Sequence, residues 1–237
     1  MVDTSRLFQH GTLALLVPGL FDGTMKVGEL LKHGDTGIGT TDALGGEMII
    51  LDGVAYLVTS DGKVRTVAEN ETTPFSNAHF YHAKDKFRLQ NCKMFDLEKK
   101  IASEYDYQNL FVGIKLTGDF KNVKTRSVKA QAKPYPSLMD VAKDQVVFTE
   151  DNSKGTIVGY YSPALFHGMT ASGYHLHYLN SALSMGGHIL EFEIEDVVVE
   201  LQPFETVEQH FPIASSDFKQ AEFDLKQVHA GITEAEK

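Results

Sequence analysis

The segment GYHLHYLNSALSMGGHILEFEIEDVVVE, residues 173 to 200, carries three histidines at a spacing suited to metal chemistry. On a β-strand, side chains two apart share a face, so His175 and His177 present their rings on one side. His188 follows a Gly-Gly pair and has the parity of Leu190, Phe192 and Ile194, whereas Glu191, Glu193 and Glu195 take the other parity. That pattern puts His188 on the buried face of an amphipathic strand. If the two strands pair, three imidazoles meet, and three neutral nitrogens leave coordination positions open, as in catalytic zinc sites. A closed structural site would use thiolates, and the only cysteine, Cys92, is far away in the chain. Spacing alone leaves a plainer alternative, three unrelated members of a set of ten histidines with His-X-His on an exposed strand. The other seven, at 10, 33, 79, 82, 167, 210 and 229, show no such spacing. His167, in LFHGMTASGYH, is near enough in sequence to stand behind the site.

The elements that must position these residues are mostly strands. EMIILDGVAYLVTSDGKVRTV holds two aspartyl-glycine turns between alternating apolar runs, which predicts three antiparallel strands over residues 47 to 67. Short helices are expected over Lys26 to Lys32 and over Lys93 to Tyr105, where Met94, Leu97, Ile101 and Tyr105 recur at helical intervals. GDTGIGTTDALGGE reads as a glycine-rich functional loop. Period-two patterning returns in FVGIKLTGDF, NVKTRSVKAQ and QVVFTEDNSKGTIVGYYS, with a turn expected at Asn152 to Gly155. PYPSLMDVAKD reads as a crossover between two sheet regions, and only the final TEAEK has the composition of a free tail. The expected fold is α+β and mostly β, with mixed and antiparallel sheets in two closely packed subdomains, residues 1–135 and 136–237, and a few short helices.

Composition narrows the function classes. At 237 residues the chain is long enough to bury a substantial core without staples. A formal charge of −10 repels phosphate backbones, and the most basic stretch, Lys121 to Lys133, alternates with Val and Ser like the solvent face of a strand, so no nucleic-acid partner is expected. No window approaches the roughly 18 to 20 apolar residues needed to cross a bilayer. The opening MVDTSRLFQHG lacks the pattern of a signal peptide, and a lone cysteine forms no internal disulfide, which together lead to a cytoplasmic expectation.

HLHYLN followed by GGHILEF resembles the metal-binding segment of acetolactate decarboxylases, and TDALGGEMIILDG resembles the segment that carries their essential glutamate. GLFDG, GIGTTDALGGE, VKTRSV and GTIVGYYSP extend the resemblance, in order, through most of the chain. The resemblance implies that His175, His177 and His188 hold a divalent metal, Zn2+ in the first instance, and that Glu47 and Arg126 are the principal catalytic side chains. It further implies that Thr40 lines the substrate pocket and that a glutamate near the C terminus reaches the site, Glu234 by spacing, with Glu236 two residues away. Read without it, Glu47 is an ordinary strand-entry glutamate and Arg126 an exposed strand arginine. Their parities, shared with Ile49 and with Val128, also allow an inward orientation.

The implied reaction is metal-dependent decarboxylation of 2-acetolactate to (R)-acetoin and CO2, by a homodimer. In it the metal stabilises an enediolate, Arg126 orients the carboxylate, and Glu47 or Glu234 delivers a proton. Two rival readings are a cupin-like metal enzyme and a non-catalytic metal- or ligand-binding β module. The first wants a glutamate shortly after the second histidine, where Tyr178, Leu179, Asn180 and Ser181 stand instead. The second leaves Glu47, Arg126 and the open coordination positions without a purpose.

Overall fold

A computed structural model describes residues 2–235. In chain order, β1 (Arg6–His10) leads to α1 (Leu13–Leu16), the two-residue strand β2 (Met25–Lys26) and α2 (Val27–Leu30). Then come β3 (Thr36–Thr40), β4 (Glu47–Leu51), β5 (Val54–Val58), β6 (Val64–Thr66), β7 (Thr72–Thr73) and β8 (Ser76–His79). The chain continues through β9 (Asp85–Lys93), α3 (Met94–Glu104), β10 (Val112–Ser127), α4 (Leu138–Lys143), β11 (Val146–Ser162), β12 (Gly173–Asn180) and β13 (Gly186–Pro203). It closes with β14 (Thr206–His210), α5 (Ser216–Gln220) and α6 (Leu225–Ala235).

The aspartyl-glycine signal works as expected. Asp52 and Gly53 take φ of 50° and 78°, the left-handed pair that a tight hairpin turn requires, and β4, β5 and β6 form the meander. They belong to a seven-stranded sheet ordered β14-β1-β8-β3-β4-β5-β6. The second sheet, ordered β10-β11-β12-β13-β9, closes on itself because β13 also pairs with β10. Four strands thus make a ring, and its shortest seam is the β12–β13 ladder of three residue pairs.

Two apolar layers follow from this closure. One cluster fills the ring with Leu116, Phe120 and Val123 of β10, Ile157 of β11, Leu176 and Tyr178 of β12, and Ile189 and Phe192 of β13, capped by Leu97 and Ile101 of α3. Another joins the sheets, setting Ile38, Ile49 and Val58 against Val158, Tyr160 and Leu179. Each such fully buried large side chain contributes roughly 1.5–3 kcal/mol. Along β12, Leu176 and Tyr178 enter the ring, so His175, His177 and Leu179 face the first sheet.

Several expectations need correction. The sheets do not divide at residue 135: the second begins with β9 and takes all of β10, while β14 returns to pair in parallel with β1. PYPSLMDVAKD joins β10 to its own neighbour β11 and is no crossover between sheets. The turn expected at Asn152 to Gly155 is a bend within continuous β11, with Asn152 at φ 52°. TEAEK is not a free tail as far as Ala235, because that stretch forms the end of α6.

The parity argument for His188 is corrected as well. Glu191 pairs with Lys124 and Ile189 with Thr125, which leaves Leu190 as an extra residue. This bulge turns His188 to the face opposite Phe192. His188 therefore looks out of the ring, toward the first sheet.

Candidate metal centre and active site

Register assembles the centre. His177 lies directly opposite His188 in the β12–β13 seam, and His188 lies directly opposite Arg126 in β10. Direct partners across a ladder share a face, so the three side chains stand abreast over three strands, with His175 two residues along from His177. The imidazole centroids are 5.0 to 5.5 Å apart, and one candidate ligand atom from each ring lies within 4.8 Å of the other two. The Gly-Gly pair makes this approach possible. A Cβ on Gly187, at φ 127°, would sit 2.4 Å from the Arg126 carbonyl oxygen, and one on Gly186 would sit 2.3 Å from that of Tyr178.

The chemistry of the three rings suits a divalent cation. His177 Nδ1 is 2.9 Å from the Met48 carbonyl oxygen, and a carbonyl only accepts, so Nδ1 carries the proton and Nε2 keeps its lone pair. That nitrogen makes no hydrogen bond and lies 3.4 Å from Glu47 Oε2. His188 Nδ1 is also buried without a hydrogen bond among the described residues. Each such atom costs about 1–3 kcal/mol if nothing engages it, a penalty that a bound ion removes. Burial first, and the Arg126 charge second, push His175 down to about 3. Burial also holds His177 and His188 well below the usual imidazole range. The rings are therefore neutral near pH 7, the form in which they coordinate metal.

The first sheet supplies the opposite wall. Thr40 and Glu47 are direct partners across β3 and β4, and both are buried. Thr40 Oγ1 donates to the Gly46 carbonyl at 2.8 Å, which holds the hydroxyl at the start of β4. The preceding loop holds Ala43 and Leu44 at φ of 58° and 52°, a conformation costly for residues with side chains. Arg126 reaches across from the second sheet. Its Nη1 donates to Glu47 Oε1 at 3.0 Å and its Nη2 to the Ala235 carbonyl at 2.8 Å, while its buried Nε has no hydrogen-bond partner among the described residues.

These groups border one pocket, open to solvent and spanning about 530 Å3, whose remaining wall is apolar: Leu13, Leu16, Leu44, Phe75, Val128, Leu138 and Val141. The structure thus brings together His175, His177, His188, Glu47, Arg126 and Thr40. Glu234 is not among them. Its side chain is exposed on α6, where its charge acts on Lys143, and its neighbour Ala235 lines the pocket instead. Glu236 lies outside the described residues. His167 does not line the pocket and sits 3.3 Å from the His229 carbonyl.

Sequence reasoning missed the apolar wall and the two backbone acceptors, Met48 and Ala235. The leucines of α1 and α4 look like any core residues in a sequence, and a carbonyl carries no residue-type signal at all.

The sequence profile described as alpha-acetolactate decarboxylase matches residues 7–225. An alpha-acetolactate decarboxylase of Lactococcus lactis subsp. lactis is 38% identical over 237 residues, with 100% of both chains covered. One of Streptococcus thermophilus is 40% identical over 241 residues, again with 100% of both covered. The crystal structure of alpha-acetolactate decarboxylase from Bacillus subtilis superposes with a TM-score of 0.95 at 35% identity, covering 98% of this chain and 99% of that one. These likenesses leave the cupin-like and non-catalytic readings without support.

Proposed function

The chain belongs to the alpha-acetolactate decarboxylase family, and from that premise we propose that the pocket between the sheets converts 2-acetolactate to (R)-acetoin and CO2 with a divalent metal, zinc first, held by His175, His177 and His188. The observation that carries this reading is the convergence of three neutral imidazoles with Arg126 and Glu47 on one pocket. A cation held by these three residues would supply Lewis acidity against the negative charge that builds on the substrate's former carbonyl oxygen as CO2 leaves.

The protein's own residues do the rest. Arg126 binds the departing carboxylate, and its unengaged Nε–H is the donor available for that purpose. A carboxylate arriving beside Glu47 is a second negative charge and competes for the guanidinium, so the proton affinity of Glu47 rises. When the carbon–carbon bond breaks, its electron pair enters the enediolate, and Glu47 delivers a proton to the carbon that lost CO2. The face that Glu47 covers sets the handedness of the product. Thr40 and the apolar wall hold the methyl-bearing carbons and exclude water, which strengthens each charge interaction inside. Glu47 is preferred over Glu234 as the proton donor because the Glu234 side chain is exposed.

No helix among the described residues is long and apolar enough to cross a membrane. A homodimer in the cytoplasm completes the proposal, to be checked by sedimentation and cell fractionation. The decisive experiment mixes the purified protein with acetolactate, before and after chelation, and follows acetoin, CO2 and bound metal. Metal-dependent acetoin is the expected result. Full turnover in metal-stripped protein would overturn the assigned role of the three histidines.

A further inference from the structure

A second recess lies at the outer end of the ring, under α3. It is open to solvent, spans about 720 Å3 and is lined by Tyr105, Tyr107, Tyr161 and Tyr174, with Phe95 and Glu98 of α3 beside them. It shares no lining residue with the active-site pocket. Tyr161 and Tyr174 are cross-strand partners with centroids 5.2 Å apart. Tyr105 stacks on Tyr107 at 5.6 Å and on Phe87 at 5.8 Å. Tyrosine faces carry partial negative charge and favour a cation; with Tyr105 stacked on both Tyr107 and Phe87, the rings left to meet one are Tyr107, Tyr161 and Tyr174.

Two carboxylates add to that field. Glu98 is half-buried and makes no hydrogen bond or ion pair among the described residues, and burial pushes its carboxyl up. Asp85, behind the lining, accepts a hydrogen bond from the Tyr107 hydroxyl. The nearby cations make no ion pair with Glu98: Lys100 is committed to Glu104 and to the face of Phe87, and Lys99, which also borders the recess, is exposed to solvent.

We propose that this recess binds an organic ammonium ion, with its alkyl groups against the tyrosine faces and its charge beside Glu98. A compact metal cation would have to shed a tightly held water shell to meet the rings. A neutral apolar guest would leave the Glu98 carboxylate desolvated without a counter-charge. An alkylammonium is weakly hydrated and meets both demands.

The chain has no tryptophan, so tyrosine emission reports directly on a site built from four of its nine tyrosines. Metal-loaded protein is titrated with choline and, separately, with its neutral isostere 3,3-dimethylbutan-1-ol. Choline is expected to saturate below about 10 mM and the neutral isostere to bind at least about tenfold more weakly. Glu98→Gln should weaken choline binding by about fivefold or more while leaving the isostere and acetoin formation unchanged. Tyr107→Leu should weaken choline without a change on β12. Equal affinity for the two probes, undiminished choline binding in Glu98→Gln, or no saturable response, as when a second copy of the chain covers the recess, would each overturn the assignment.

Discussion

His10, His33 and His210 gather beside Phe8 at the edge of the first sheet, just as His175, His177 and His188 gather on the face of the second, yet the two trios are built for different ends. His10 spends Nδ1 on His210, at 2.9 Å, and Nε2 on the Thr24 hydroxyl, at 2.8 Å, while His33 stacks on Phe8 with centroids 3.7 Å apart. Burial lowers the proton affinity in both places, to about 4 at His10 and about 3 at His175. Burial alone therefore does not separate a structural trio from a candidate metal-binding one. The difference is convergence: His33 also buries an unengaged Nδ1, but only His175, His177 and His188, among the described residues, bring one ligand atom each within 4.8 Å of the others, with His177 anchored through Nδ1 to a backbone carbonyl.

The largest effect that would test this contrast comes from the ligands themselves. His177→Ala or His188→Ala should lose bound metal and at least about a thousandfold of turnover, beyond the 10- to 100-fold typical of an outer-shell partner. His10→Ala should keep both, which elemental analysis and acetoin formation would show. Next comes Glu47→Gln, expected to retain metal and lose about a hundredfold or more in kcat. Loss of metal together with turnover in that variant would recast Glu47 as part of the cradle. A smaller change is expected for Arg126→Lys, which keeps the charge but not the planar fork. Its KM should rise by roughly 10- to 100-fold, a loss of about 1.4 to 2.7 kcal/mol, with metal retained.

The last effect falls on stability and leaves turnover at neutral pH untouched. The folded state lowers His10 from 6.5 to about 4, so the unfolded chain takes up the proton first as pH falls. The contribution of neutral His10 is whole above 6.5 and is lost as pH falls toward 4, by at most about 3 kcal/mol. Urea melts at pH 7 and 4.5 should show a smaller acid loss in His10→Gln than in the parent. An equal loss would place the acid sensitivity elsewhere.

What the sequence revealed follows the range of the forces involved. The Asp52–Gly53 hairpin, the helix at Met94–Glu104 and the shared face of His175 and His177 depend on neighbours a few residues apart, and pattern alone exposed them. The place of His188 was right although the parity argument for it was not, because the Leu190 bulge is set by pairing with β10, more than sixty residues earlier. Arg126 and Glu47 face each other from different sheets, and no local signal distinguishes such a pair from two solvated charges. Resemblance to a family supplied what periodicity could not. Even so it implied Glu234 at the site, where the structure leaves that side chain exposed, and did not reveal the backbone of α6 beside Arg126.

Arg126, His188 and His177 form a rank across three strands, so their positions are fixed by counting residues more than by the contour of the cavity. Deleting one residue within β12 or β13 would invert the alternation beyond it, sending imidazoles among the phenylalanines of the ring and leucines into the polar cleft. The connecting turn at residues 181 to 185, largely exposed, obeys no such arithmetic. Length variation among descendants of this chain should therefore collect in that turn and spare the strands on either side of it.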